Sequence, residues 1–447
     1  MTISVERYKP SRFNNLSTAD GSNLIIFNSL SGAIGAIPIE QTKEVKALLA
    51  SKSGIVGPLS GIASDLFDGG FLVSYNTNED EINHRKYLEK YQEKYLNLFL
   101  MPTENCNFRC IYCYESFLRG KMEPELVEGV KKFVESRDLA KFELSWFGGE
   151  PLLASDIVIE LTQYFYNYCS ENKIEFSSGI TTNASLLTPD VVEAILPYGL
   201  NYFQITIDGI KDEHDSKRIS IDGSPSFERI ITNLRYLKST NHPFMVALRH
   251  NYDPAGLKML PEFIELIKDE FGGDSRFTTM FQPVGAWGGE NDMDLNLCGS
   301  RGAADAMVHA KRLAIQAGFK NSFQLESFRP NGYVCYAAHP SSFVIGSDGK
   351  VYKCTVELDY HDRNIVGQLH TNGEMTLDWR KMALWVETNG RDGDTKCTKC
   401  SFSAACHGAV CPKQWMDEPE CGCPSERLAI RETLPLILLE SEMDHKI

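Results

Sequence analysis

Cys106, Cys110 and Cys113 stand in the run Cys-Asn-Phe-Arg-Cys-Ile-Tyr-Cys, three thiols in one tight loop. A four-iron cube whose only task is electron transfer takes four thiolates, so a set of three leaves one iron open to a ligand that reacts. The chain has thirteen Cys, and eight of them are Cys335, Cys354, Cys397, Cys400, Cys406, Cys411, Cys421 and Cys423. Eight thiolates fill two four-iron cubes, and the short gaps from Cys397 to Cys411 let neighbouring turns aim several sulfurs at one centre. Thiolate tetrads also suit zinc, and spacing alone does not choose between the metals. Cys169 and Cys298 lie outside both groups and read as small buried hydrophobes.

The 447 residues are 43% hydrophobic and 23% charged, which predicts two or three globular domains. The first residues, Met-Thr-Ile-Ser-Val-Glu-Arg-Tyr, carry no apolar signal segment, and no apolar run is long enough to span a membrane. The expectation is a cytoplasmic protein without a membrane partner, whose reduced thiols hold metal rather than disulfides. A net charge of −15 argues against nucleic acid as a partner, because phosphate binding needs clustered Lys and Arg.

The elements that must position these thiols alternate between strand and helix. Strands are predicted at Tyr95 to Met101, Phe142 to Phe147, Ile174 to Thr181, Tyr202 to Ile207, Phe244 to Arg249 and Arg276 to Phe281. Helical spacing lies between them at Pro124 to Leu139, Ser155 to Cys169, Phe227 to Leu237 and Leu257 to Lys268. This order predicts an α/β fold, a parallel sheet curled into a partial (β/α)6 barrel. Gly148-Gly149-Glu150-Pro151, Thr182-Asn183 and Asp208-Gly209 follow three of the strands. Each alone is an ordinary turn or cap. Recurring at strand ends below a three-thiol loop, they mark the mouth where barrel enzymes place their chemistry.

The spacing of Cys106, Cys110 and Cys113, with Tyr112 before the last Cys, resembles the signature of radical S-adenosylmethionine enzymes. In that family the open iron of a 4Fe-4S cluster chelates S-adenosylmethionine, and an electron from the cluster cleaves it to a 5′-deoxyadenosyl radical. The resemblance implies that Gly148, Gly149, Glu150 and Pro151 receive the methionine amino group. It likewise places Thr182, Asn183, Thr206 and Asp208 around the ribose and carboxylate, Tyr112 near the adenine, and Arg218 at the carboxylate. A polar zwitterion held by a few fixed groups in a sealed cavity is consistent with those residue types.

The C-terminal cysteines resemble the SPASM extension, which carries two auxiliary clusters and brings the total to three 4Fe-4S clusters. Cys335-x13-Gly349-x4-Cys354 fits its opening, with Gly349 turning between two short strands. The resemblance assigns Cys335, Cys354 and Cys411 to one cluster and Cys397, Cys400, Cys406 and Cys423 to the other. Cys421 either completes the first or leaves it with an open iron. Four residues separate Cys406 from Cys411, where the extension usually has three. At the front of the chain, Leu24 to Phe27 and Ala33 to Ile39 predict a hairpin, Ile39 to Ala50 and Leu59 to Leu66 helices, and Phe71 to Tyr75 a strand. This order resembles the winged-helix-like peptide-recognition domain of peptide-maturing radical enzymes, which takes up a leader along a sheet edge.

The expected segments are therefore a recognition domain over 1–77, a charged helical linker over 78–94, a radical barrel over 95–318 and a SPASM domain over 319–447. The expected activity is maturation of a ribosomally made precursor peptide by a thioether or carbon–carbon crosslink, with a flavodoxin or ferredoxin as electron donor. Formylglycine formation, as in sulfatase maturases, is the second reading; there an Asp follows the second SPASM cysteine, where this chain has Thr355, a poor base. An iron–sulfur electron carrier is the third. No catalytic acid or base is assigned, and Glu115, Glu150, Arg249, His250, Gln282 and Trp287 are candidates at loops and strand ends.

Overall fold

A computed structural model of the chain describes residues 6–19, 23–91, 94–321, 328–330, 335–358, 362–387, 395–406, 411–417 and 423–444. Cys421 lies outside the described residues. Two compact units are each drawn from separated segments: Met1–Glu93, Phe323–His339 and Val386–Ile447 make one, and Lys94–Ser322 and Pro340–Trp385 the other.

The first unit opens with β1 (Arg7–Pro10), β2 (Asn14–Ala19), β3 (Asn23–Asn28) and β4 (Ile34–Pro38), followed by β5 (Ile55–Val56) and β6 (Leu72–Ser74). Strands β2, β3 and β4 form one sheet and β5, β1 and β6 another. The predicted hairpin is β3 and β4, with Phe27 opposite Ile34. The predicted helices are Thr42–Leu49 and Ile62–Asp68. Strand β6 does not close on that hairpin; it pairs with β1 through Lys9 and Val73. β1 and β2 are absent from the sequence reading because Arg-Tyr-Lys-Pro and Asn-Asn-Leu-Ser-Thr-Ala lack apolar alternation. The charged connector is the helix Glu79–Glu89, whose first turn is capped by Asn78 accepting the Glu81 N–H at 3.3 Å.

The C-terminal segment completes this unit's core. Ile25 and Phe27 of β3 are buried with Phe328, Phe402, Cys406, Ile430 and Leu434. Ser29 Oγ and Asn15 Nδ2 both donate to the Ser401 carbonyl, at 2.6 and 3.2 Å.

The second unit holds β7 (Tyr95–Leu100), β8 (Phe108–Cys110), β9 (Lys141–Trp146), β10 (Glu175–Thr182), β11 (Leu200–Thr206), β12 (Arg218–Ser220), β13 (Met245–Tyr252), β14 (Phe277–Pro283), β15 (Ser342–Ile345), β16 (Lys350–Tyr352), β17 (Ile365–Leu369) and β18 (Met375–Leu377). The main sheet runs β14-β13-β11-β10-β9-β7-β15-β16-β17-β18. Its first six strands are parallel neighbours in chain order, the arrangement predicted by alternating apolar runs and helices. The helices Pro124–Glu135, Ser155–Asn172, Pro189–Ile195, Phe227–Ser239 and Leu260–Phe271 lie between them in sequence.

β15 continues the sheet in parallel with β7 and turns into β16 through Gly349 at φ +81°, the hairpin predicted before Cys354. Residues 340–385 thus belong to the second unit and residues 386–447 to the first. The first placement comes from pairing of β15 with β7 and the second from packing of the C-terminal residues on β3, two long-range contacts that local composition does not report. Among the described residues no helix is long and apolar enough to cross a membrane.

Candidate active site

The three-thiol loop follows β7 and is held by a ribbon that the sequence did not announce. β8 pairs antiparallel with β12, placing Cys110 opposite Arg218 and Arg109 opposite Ile219. The Ile111 N–H donates to the Lys217 carbonyl at 3.0 Å, and the Ile221 N–H to the Asn107 carbonyl at 2.9 Å. Within the loop, the Cys113 N–H donates to the Cys110 carbonyl at 3.0 Å. The Phe108 N–H donates to Cys106 Sγ at 3.4 Å, a donor suited to a thiolate.

The glycine pair abuts the backbone just before this loop. Gly148 takes φ +117°, and a Cβ there would lie 2.3 Å from the Thr103 carbonyl oxygen. A Cβ on Gly149 would lie 2.4 and 2.5 Å from the carbonyl oxygens of Glu104 and Asn105. Only glycine permits so close a backbone approach. Glu150 is fully buried and faces the neighbouring strand end. Its carboxylate accepts from Thr182 Oγ1 at 2.7 Å, the Asn183 N–H at 2.8 Å and the Leu152 N–H at 3.0 Å. Glu150 therefore braces the glycine loop against β10.

Asp208 is likewise fully buried and engaged. It accepts the Asn251 N–H at 2.8 Å and the Tyr112 hydroxyl, and its Oδ2 lies 3.7 Å from the Arg218 guanidinium. Arg218 also donates to the Tyr112 oxygen at 2.9 Å, and Asn251 Nδ2 to the same oxygen at 3.2 Å. This network ties the thiol loop to the ends of β11 and β13. Behind it, the Asp208 N–H donates to His214 Nδ1 at 3.3 Å, which leaves Nε2 protonated toward Ser226 Oγ at 3.2 Å. Burial pulls His214 down to about 4.

One cavity of about 150 Å³ unites these parts. Cys106, Cys110 and Cys113 line it together with Tyr112, Gly148, Gly149, Thr182, Asn183, Thr206 and Arg218. Glu150, Pro151 and Asp208 lie outside its lining, the two carboxylates serving as braces. Thr181, Gln204 and Asn251 also line it and escaped the sequence reading. Gln204 shares a strand face with Thr206, and Asn251 with Arg249, so alternation from the named residue could have found both.

Of the catalytic candidates, Glu115 and Arg249 reach the cavity. His250 turns to the opposite face and stacks on Phe263 at 4.5 Å. Gln282 and Trp287 are not among the lining residues. Burial, then the Glu104 carboxylate, pushes Glu115 up to about 8.

Burial pushes the Cys106 and Cys113 thiols up to about 12 and raises Cys110. Without a metal these groups remain thiols at neutral pH, so metal binding there would release protons. Among the described residues no three Cys, His, Asp or Glu side chains converge on a single ion. A cube engages each thiolate at a separate iron corner, so thiols ringing a cavity fit a cluster better than one ion.

The C-terminal cysteines show related local geometry. Cys354 follows β16, and Asn364 Oδ1 accepts the N–H groups of Lys353 and Cys354 at 3.0 and 2.9 Å. The Val356 N–H donates to Cys354 Sγ at 3.4 Å, the Phe402 N–H to Cys400 Sγ at 3.4 Å and the Gln414 N–H to Cys411 Sγ at 3.5 Å. Such N–H···S bonds favour thiolates as metal ligands. Cys354 lies in the second unit, while Cys335, Cys397, Cys400, Cys406, Cys411 and Cys423 lie in the first.

A parallel α/β sheet with a three-thiol loop and polar strand ends opening on one cavity is the arrangement on which the resemblance to radical S-adenosylmethionine enzymes rests. Residues 100–255 match the Radical SAM superfamily, and the chain carries a radical SAM domain there. It is similar to the radical SAM cyclopropyl synthase TigE of Paramaledivibacter caminithermalis, with 22% identity over 265 residues, 52% of this chain and 55% of that protein. The matches span about half the length of the first curated relatives. In fold the chain is similar to anSMEcpe, solved with bound AdoMet and Cp18Cys peptide, at TM-score 0.61, 15% identity, and coverage of 79% of this chain and 100% of that one. It is also similar to Streptococcus suis SuiB bound to S-adenosylmethionine, at TM-score 0.51, 15% identity, and coverage of 92% and 97%.

Proposed function

We propose that this chain is a radical SAM peptide maturase that installs a thioether or carbon–carbon crosslink in a ribosomally made precursor peptide. The observation that carries the reading is the single cavity onto which Cys106, Cys110, Cys113, the Gly148-Gly149 turn, the ends of β10 and β11, and Arg218 all open. When bound, a 4Fe-4S cluster and S-adenosylmethionine supply an electron and a 5′-deoxyadenosyl radical. The chain's own residues then orient and exclude. Thr182, Asn183 and Thr206 offer fixed hydrogen-bond partners, while Arg218 provides a positive charge beside the thiol loop. The apolar Phe108, Phe117 and Phe147 restrict water around them. The C-terminal cysteines hold two auxiliary clusters, the first unit receives the leader, and a flavodoxin or ferredoxin donates the electron.

Formylglycine formation is the weaker reading. Thr355 follows Cys354, and the nearest acid along the chain, Glu357, is fully buried and held by Arg363 at 2.7 Å. Neither is placed to act as an exposed base.

The test is mass spectrometry after anaerobic incubation of the reconstituted, reduced protein with S-adenosylmethionine and a Cys-rich peptide encoded beside its gene. A peptide mass lowered by a pair of hydrogen atoms, with 5′-deoxyadenosine formed, is the expected result. An unmodified peptide despite deoxyadenosine formation contradicts that substrate.

A further inference from the structure

Arg427 brings a charged side chain from outside the cysteine motifs to the second cysteine group. Cys423 is followed by Pro424, whose carbonyl accepts the Arg427 N–H at 3.0 Å. The short helical turn thus begun carries the guanidinium back toward Cys400, where Arg427 Nε donates to Sγ at 3.4 Å. The same sulfur accepts the Phe402 N–H at 3.4 Å, so it has two nitrogen donors, one charged. The guanidinium also lies within charge range of Cys406 and Cys423. Its contact is with Cys400, and its charge reaches two more of the four cysteines assigned to this group. Cys406 is buried in the core formed by Ile25, Phe27 and Phe402, against which Cys400 packs, while Cys423 is exposed, so the apolar side of the group is the side on which the charge is least screened.

We propose that Arg427 is a positioning residue that sets the reduction potential of the iron–sulfur cluster held by Cys397, Cys400, Cys406 and Cys423. This rests on the reading that these four thiolates hold such a cluster. Adding one electron makes a cluster more negative, and an N–H···S bond or a nearby cation stabilises the more negative state. Arg427 supplies both, so it raises the potential of this cluster above the value the four thiolates alone would set. The planar fork matters as well as the charge, because a Lys ammonium cannot reproduce an Nε donor at that angle.

The experiment is an EPR-monitored redox titration of the full-length, anaerobically reconstituted protein as wild type, Arg427→Gln, Arg427→Lys and Cys400→Ala. Cys400→Ala identifies the signal, because it should lower iron content and remove one spectral component. For that component Arg427→Gln should shift the midpoint to more negative values at unchanged iron content, and Arg427→Lys should shift it less. The component that responds to S-adenosylmethionine should not move. A midpoint in Arg427→Gln equal to wild type overturns the proposal. Loss of that cluster from both Arg427 variants also overturns it, since Arg427 would then be a structural brace. Unchanged iron content in Cys400→Ala, or zinc in the wild-type protein, refutes the cluster reading itself, a failure separate from that of Arg427.

Discussion

Glu150 and Asp208 look like ligand-binding acids in the sequence, and the structure makes both into braces. Glu150→Gln keeps the volume but weakens three hydrogen bonds to one carboxylate. It should lower stability by about 2 kcal/mol in urea denaturation, and an unchanged midpoint would refute the bracing role. His214 gives a pH signature. Its folded value of about 4 lies below the ordinary 6.5, so the unfolded chain takes up the proton first as pH falls. Stability is therefore fully present above about 6.5 and is lost as pH drops toward about 4, by about 2 kcal/mol at pH 5. His214→Gln should flatten this part of the pH dependence; an identical slope in wild type and variant would exclude His214 as its source. Residue type and spacing made the three thiols and the glycine pair legible in the sequence. Whether an acid faces the cavity or the neighbouring strand was not legible, because that depends on partners such as Thr182 and Asn251, contributed by other strands.

At the scale of elements, the glycine turn and the β8–β12 ribbon hold the thiol loop from two sides. Gly149→Ala forces a Cβ to within 2.4–2.6 Å of three backbone atoms, an overpacking that costs at least about 1–3 kcal/mol. It should weaken S-adenosylmethionine binding in calorimetry along with stability, and normal binding would show that the close approach is dispensable. Ile221 is exposed but its N–H closes the ribbon on Asn107. Ile221→Pro should therefore reduce iron bound after reconstitution, whereas Ile221→Ser should not. Equal iron in the two variants would remove the ribbon from the account. The main strands were readable to within a few residues because each carries apolar residues at strand spacing between segments of helical spacing, as in Lys-Phe-Glu-Leu-Ser-Trp of β9. The ribbon was not, since Phe108–Cys110 and Arg218–Ser220 are short, mixed in character and far apart in sequence.

For the whole molecule, the sequence suggested a recognition domain over residues 1–77, and Ile25 and Phe27 of that segment share one buried core with Phe402, Cys406 and Leu434. Removing residues 1–77 should expose that core and leave the C-terminal cysteine region sensitive to protease. Phe27→Ala should destabilise the first unit by about 3–5 kcal/mol and lower its iron content. A truncated chain with full iron and normal protease resistance would show that residues 1–77 do not share a core with the C-terminal residues. Local patterning could not reveal this partnership, because each half of the core is an ordinary apolar run until the other is placed against it. The central claim is that Cys106, Cys110 and Cys113 support radical cleavage of S-adenosylmethionine in the cavity of the second unit. Its most direct test is chromatographic quantification of 5′-deoxyadenosine from the reconstituted, dithionite-reduced protein and from the variant with all three residues replaced by Ala. The account predicts deoxyadenosine from the wild type and none above background from the variant; equal amounts from both, or none from a fully loaded wild type, would contradict it.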